Sequence, residues 1–205
     1  MKENIYKTIT KRSEGLYKEK GSKFIAHAFP IHSEEEIKSA LEELRKKYYD
    51  ARHHCYAYVL GQDYGQFRAN DDGEPNHSAG DPILGQIRSK ELTNTLVVVV
   101  RYFGGTKLGV GGLINAYKTA ADEALQANTI KTVEITNSYS LTFDYESTNE
   151  VMRIVKDFDL EINEQRYEAD CYLKVSVKLD FEEQLKAKLV LLQDLGNNMS
   201  FKLEN

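Results

Sequence analysis

The sequence predicts an α+β protein of two domains, and three observations carry that expectation. Four consecutive valines, Val97–Val100, form a β-branched run with no polar side, as in a strand covered on both faces. A glycine-rich segment and a helical pattern follow at once. From Asn137 onward the periodicity runs strand, helix, strand, strand, helix, strand, the ferredoxin-like order. The chain has 205 residues, 41% of them hydrophobic, which suits two small domains with packed cores.

The elements follow in order. Lys23–Ile31 reads as a strand that Pro30 ends. Ser33 followed by Glu36 has the form of a capping box, and Ile37, Ala40, Leu41 and Leu44 then share one helical face. Arg45, Lys46 and Lys47 complement the negative C-terminus of that helix. His54–Leu60 is a second strand. Gly61–Gly80 carries neither period and reads as a long polar loop. Asp81–Leu92 is a short helix entered through Pro82. After the valine strand and its glycines, a helix over Leu113–Ala127 presents Leu113, Tyr117, Ala120, Ala121 and Ala124, a small-residue face suited to close approach to a sheet.

In the second block Tyr139, Leu141, Phe143 and Tyr145 alternate as a strand. Ser147 with Glu150 offers another capping box ahead of Val151, Ile154, Val155 and Phe158. Leu160–Tyr167 and Cys171–Leu179 are two further strands, the second alternating strictly. Asp180 with Glu183 opens a helix bearing Leu185, Leu189 and Leu192; Gly196 ends it, and Met199–Leu203 closes the sheet. The expected domains are 1–134 and 137–205, with no proline or glycine linker between them.

Composition narrows the function. A net charge of −5 argues against a protein that coats nucleic acid through its overall field, but leaves room for a local basic patch. No apolar run is long enough for a membrane helix, and the first fifteen residues lack the apolar core of a secretion signal, so a cytoplasmic protein is expected. Cys55 and Cys171 stand alone without a CxxC partner, which argues against a zinc site or disulfide framework.

Three constellations carry candidate chemistry. The first is Arg101, Tyr102, Phe103, Gly104, Gly105, Lys107, Gly109, Gly111 and Gly112. It is not a Walker A loop. It also misses the dinucleotide fingerprint, because the third glycine would fall on Ile114. A phosphate held by backbone amides, Arg101 and Lys107 is one reading, and a tight corner needing small residues is the other; spacing leaves both open. Exposed, Tyr102 and Phe103 would form a stacking platform for single-stranded RNA; buried, they would plug the core with Arg101 paired to a carboxylate. The second is the loop Asp71, Asp72, Gly73, Glu74, with His77 close by. It lacks calcium-loop spacing, and an Asx-type turn satisfying loop amides is the preferred reading. In the third, His53-His54-Cys55, strand alternation puts His53 and Cys55 on one face and His54 on the other.

The segments Asp71–Pro75, Ala79-Gly80-Asp81-Pro82 and Val97–Gly112 together closely resemble the YigZ/IMPACT family, bacterial two-domain type. The resemblance implies an N-terminal domain similar to ribosomal protein S5 domain 2 and a ferredoxin-like C-terminal domain similar to elongation factor G domain V. It implies contact with RNA or the ribosome, and it carries over no catalytic residue, cofactor or metal. One departure stands out. Where the family has a glycine and a basic residue, this chain has His77 and Asp81. An exposed acid there would repel a phosphate by about 1 kcal/mol at ~4 Å in water.

The expected function is a translation-associated, RNA- or ribosome-binding regulatory protein. The alternatives are a protein-binding regulator of translation or stress response and a small hydrolase using the Asp71–Glu74 loop with His77 or His53.

Overall fold

The computed structural model describes residues 4–204. They fall into two compact units, Tyr6–Val133 and the chain from Glu134 onward, the latter joined by Asn4 and Ile5.

The first unit contains β1 (Ile5–Ile9, from Tyr6), β2 (Ser13–Glu19), β3 (Ser22–Pro30), α1 (Glu34–Lys47), β4 (His53–Leu60), β5 (Gln66–Asn70), α2 (Gly80–Ser89), β6 (Thr95–Tyr102), α3 (Gly109–Gln126) and β7 (Ile130–Glu134). Five strands form one antiparallel sheet in the order β2-β3-β6-β4-β5, and β1 pairs with β7 separately. The valine strand β6 lies at the centre. Leu96 and Val98 pack under α1, while Val97 and Val99 pack under α2 and α3, so the run is buried on both faces. Helix α3 approaches the sheet closely through Ala116, Ala120, Ala121 and Ala124. Opposite it, a side chain on Gly15 of β2 would overlap the backbone of Ala124, which is why this strand position is glycine.

Several expectations change here. The polar stretch 61–80 is not all loop, because β5 pairs along β4 as an edge strand. Its Gln66, Phe67 and Arg68 are exposed, so no apolar period marks it; the Arg88 guanidinium lies over the Phe67 ring at 4.2 Å. Strands β1, β2 and β7, to which the sequence analysis assigns no element, are likewise edge or two-stranded pieces. Helix α2 begins at Gly80 and ends at Ser89, before the positive-φ residues Glu91 and Asn94 turn the chain. Helix α3 begins at Gly109, so Gly109–Gly112 belong to its first turn rather than to the loop. Ser33 caps α1 by accepting from the Glu36 N–H at 3.3 Å, and Glu36 reaches back to the His32 N–H at 2.8 Å, one residue short of a closed box.

Two histidines are buried on the α1 side of the sheet. His27 lies between the Tyr48 hydroxyl at 3.1 Å and Glu14 at 3.2 Å, and the His54 ring carries a buried Nε2 with no hydrogen-bond partner among the described residues. Burial holds both below the ordinary histidine value of 6.5, against the opposing pull of Glu14 on His27 and of Asp72 on His54. The unfolded chain then binds protons that the folded chain refuses, so stability is full above about pH 6.5 and falls as the pH drops below it. The urea midpoint should decrease between about pH 7.5 and about pH 5.5, and the decrease should shrink in His27→Gln. A midpoint that holds constant across this window contradicts the assignment.

The second unit contains β8 (Thr136–Phe143), α4 (Thr148–Asp157), β9 (Glu161–Tyr167), β10 (Cys171–Lys178), a 3-10 turn (Leu179–Phe181), α5 (Glu182–Asp194) and β11 (Met199–Glu204). Its sheet has the order β11-β8-β10-β9, all antiparallel, which with two crossover helices is the ferredoxin-like arrangement. Cys171, Leu173, Val175 and Val177 point into the core and alternate with half-exposed Tyr172, Lys174, Ser176 and Lys178. Neither capping box expected in this unit forms. Ser147 has helical φ and ψ, its N–H is taken by Asp144 at 2.9 Å, and its side chain makes no cap bond. Asp180 lies inside the 3-10 turn and binds Asn4 at 2.7 Å, leaving Phe181 ahead of α5.

Both cysteines are buried free thiols. No helix among the described residues is long and apolar enough to cross a membrane.

Candidate functional site

The acidic loop is a set of staples. Asp71 accepts from the N–H groups of His77 (2.8 Å), Ala79 (3.0 Å) and Gly80 (2.8 Å), which caps α2 where Ala79 has no side chain to do so. Burial acts to raise its carboxyl, but these three donors hold it below the usual carboxylate value. Asp72 turns the chain at φ +41 and accepts from the His54 N–H at 2.6 Å. Its carbonyl faces His53 Nδ1 at 2.9 Å.

Glu74 is buried. It accepts from Arg101 Nη1 at 2.5 Å and from the Tyr117 hydroxyl at 2.8 Å. Cys55 Sγ lies 3.3 Å from that hydroxyl and 3.0 Å from the Asp71 carbonyl oxygen. Burial pushes the Tyr117 phenol and the Cys55 thiol well up, so both stay protonated and Cys55 is no nucleophile. Each acid of the loop thus has partners within this unit, in the loop itself, in the sheet beneath it, at Tyr117 of α3 and, for Asp72, at Arg45 of α1 3.9 Å away. His77 is exposed and contacts Asp81 at 2.6 Å. That carboxylate lies in the first turn of α2, where a negative charge is favoured, so His77 and Asp81 form one local pair.

The Arg101–Gly112 segment divides into a buried root and an exposed rim. Of the two readings open for Arg101, facing an anion or pairing with a carboxylate, the structure shows the pairing with Glu74. The Arg101 side chain is only 7% exposed, and its guanidinium lies between the rings of Phe24 (5.4 Å) and Phe103 (5.7 Å). It therefore cannot reach out to a phosphate in this state, and the reading in which it pairs with a carboxylate holds. Its Nε is buried with no hydrogen-bond partner among the described residues. Tyr102 is half-buried and donates to Asp50 at 2.7 Å; that bond, helped by burial, pushes its phenol up to about 12. Phe103 is 57% exposed. Gly104 passes so near Gly21 and Ser22 that a Cβ would overlap their backbone, and its N–H donates to Ser22 Oγ at 3.1 Å.

Beyond it, Gly105, Lys107, Gly109 and Gly111 are exposed and Gly112 is half-buried. Helix α3 starts here with no side-chain cap and no acid in its first turn. Its free N–H groups and positive dipole end are therefore not satisfied by its own side chains.

The antiparallel register pairs His53 with Arg101. That pairing brings the chain before β4 beside the end of β6. Asp50, Arg52, His53, Arg101, Tyr102 and Phe103 line a cleft of about 410 Å³. Asp50, Arg52 and Tyr49 are absent from the candidates read in the sequence. Tyr49 is 85% exposed and lies near enough to Tyr102 to perturb its hydroxyl. The signal that marks them is the tyrosine pair Tyr48-Tyr49 directly after the basic end of α1.

The Impact N-terminal domain family matches residues 20–125, which takes in the acidic loop, the arginine it binds and the glycine corner. A Bacillus subtilis (strain 168) protein described as IMPACT family member YvyE is 30% identical over 195 residues, covering 95% of this chain and 88% of its own. The Escherichia coli (strain K12) IMPACT family member YigZ is 34% identical over 172 residues, covering 83% of this chain and 84% of its own. A crystal structure of a hypothetical protein superposes with a TM-score of 0.72 at 29% identity, covering 95% of this chain and 96% of that one. The staple linking the acidic loop to the valine strand thus lies within the matched domain, the relatives extend across both units, and the chain belongs to the IMPACT family.

Proposed function

We propose that this chain is a translation-associated regulatory protein that binds single-stranded RNA, free or in the ribosome, through the exposed rim of its first unit. One observation carries the reading. Tyr102 and Phe103 stand with Arg52 around one cleft, exposed Tyr49 precedes it in the chain, and the uncapped start of α3 with Lys107 lies a few residues further along. Aromatic faces stack on unpaired bases whatever their sequence, while a cation and free helix amides receive the phosphates between them. Arg101 acts from below by holding the Phe103 ring. The net charge of −5 limits binding to this local surface.

A filter-binding titration of short single-stranded RNA at rising salt tests the proposal. Affinity should fall with salt, Phe103→Ala should weaken binding about tenfold, and Lys107→Ala should flatten the salt slope by about one phosphate. Salt-independent affinity that is unchanged in the double variant overturns it.

A second reading, a protein-binding regulator, draws on Val110 and Ile114, which are 53% and 39% exposed on the first turns of α3. It predicts a protein partner lost on Val110→Asp while RNA affinity stays negligible.

A further inference from the structure

We infer that the cleft between Asp50 and Phe103 accepts one unpaired guanine of an RNA strand, stacked on Phe103. This rests on the RNA-binding reading above and names the base it reads.

The cleft is about 410 Å³, within the range of small-ligand pockets, and one wall is an aromatic ring. That ring is held from beneath by a nine-tenths buried guanidinium, itself fixed by Glu74. A supported ring of this kind can receive a base without first being ordered.

The polar groups of the cleft decide which base. Asp50 accepts from Tyr102 through one oxygen, and a carboxylate has about four lone-pair sites, so acceptor capacity remains. The Asp72 carbonyl oxygen can only accept, so His53 Nδ1 donates to it, and in that tautomer Nε2 is a second acceptor. Arg52 is an exposed forked donor. Two acceptors and a forked donor around one ring complement guanine, whose N1–H and N2–H₂ donate along one edge while O6 and N7 accept along the other. Uracil offers a single donor and adenine a single amino group, so each would leave part of the set unpaired.

Fluorescence anisotropy of the full chain with two labelled RNAs tests the inference: an oligouridine of about eight nucleotides and the same strand carrying one central guanine. The guanine strand should bind about tenfold more tightly. Asp50→Asn keeps an oxygen for Tyr102 but turns an amide donor toward the donors of guanine. It should bring the two strands within about twofold of each other.

Equal binding of both strands by the unaltered chain, or a guanine preference that survives Asp50→Asn, overturns the guanine assignment. If Phe103→Ala still weakens both strands, the RNA-binding reading stands without it. Absence of binding to either strand overturns both.

Discussion

Glu74→Ala is expected to cost about 4 kcal/mol, because it leaves a buried cation uncompensated. Arg101 is 7% and the Glu74 side chain 4% exposed, so water cannot replace the lost partner without opening the sheet. The Tyr117 hydroxyl loses its acceptor at the same time. Such a loss approaches the whole stability of many domains, so the variant should unfold at a far lower urea midpoint. Glu74→Gln keeps an oxygen for both donors and should fall in between. The double change Glu74→Leu/Arg101→Met removes both charges together and should recover most of the loss, since a buried pair often stabilises little more than an apolar substitute. A Glu74→Ala loss below about 1 kcal/mol would mean that Arg101 finds water or another acceptor.

Gly104→Ala should cost about 3 kcal/mol through overlap rather than through conformation. A Cβ there falls inside the backbone of Gly21 and Ser22, which cannot yield as a flexible side chain could. Strand β6 and the β2–β3 turn must separate to admit it, and Phe103 shifts with them, so RNA affinity should fall together with the melting temperature. Gly111→Ala is the control. It meets open space in the first turn of α3, and alanine favours helix over glycine, so stability should hold or rise by up to about 1 kcal/mol. Equal effects of the two changes would show that Gly104 is not packed as described.

The sequence made some of this legible for physical reasons. Val97–Val100 announce burial on both faces, and the strict alternation of Cys171, Leu173, Val175 and Val177 announces one covered and one open face. Strands β2 and β5 stayed hidden because an edge strand keeps polar side chains and needs no apolar period. The fate of Arg101 could not be read locally. Its partner lies 27 residues earlier and arrives only because Asp72 and Gly73 turn the loop back over β4. The cleft was illegible for a related reason, since only the register of His53 against Arg101 sets Asp50 and Arg52 near Phe103.

The central claim is that the rim around Phe103 is where RNA lies. Ultraviolet cross-linking of the full chain to a guanine-containing single strand of about eight nucleotides, followed by peptide mapping, tests it directly. Adducts should concentrate on Phe103, Tyr102 and Tyr49 and fall sharply in Phe103→Ala. Adducts confined to residues after Glu134, or a yield no higher than with an unrelated acidic protein, would contradict it.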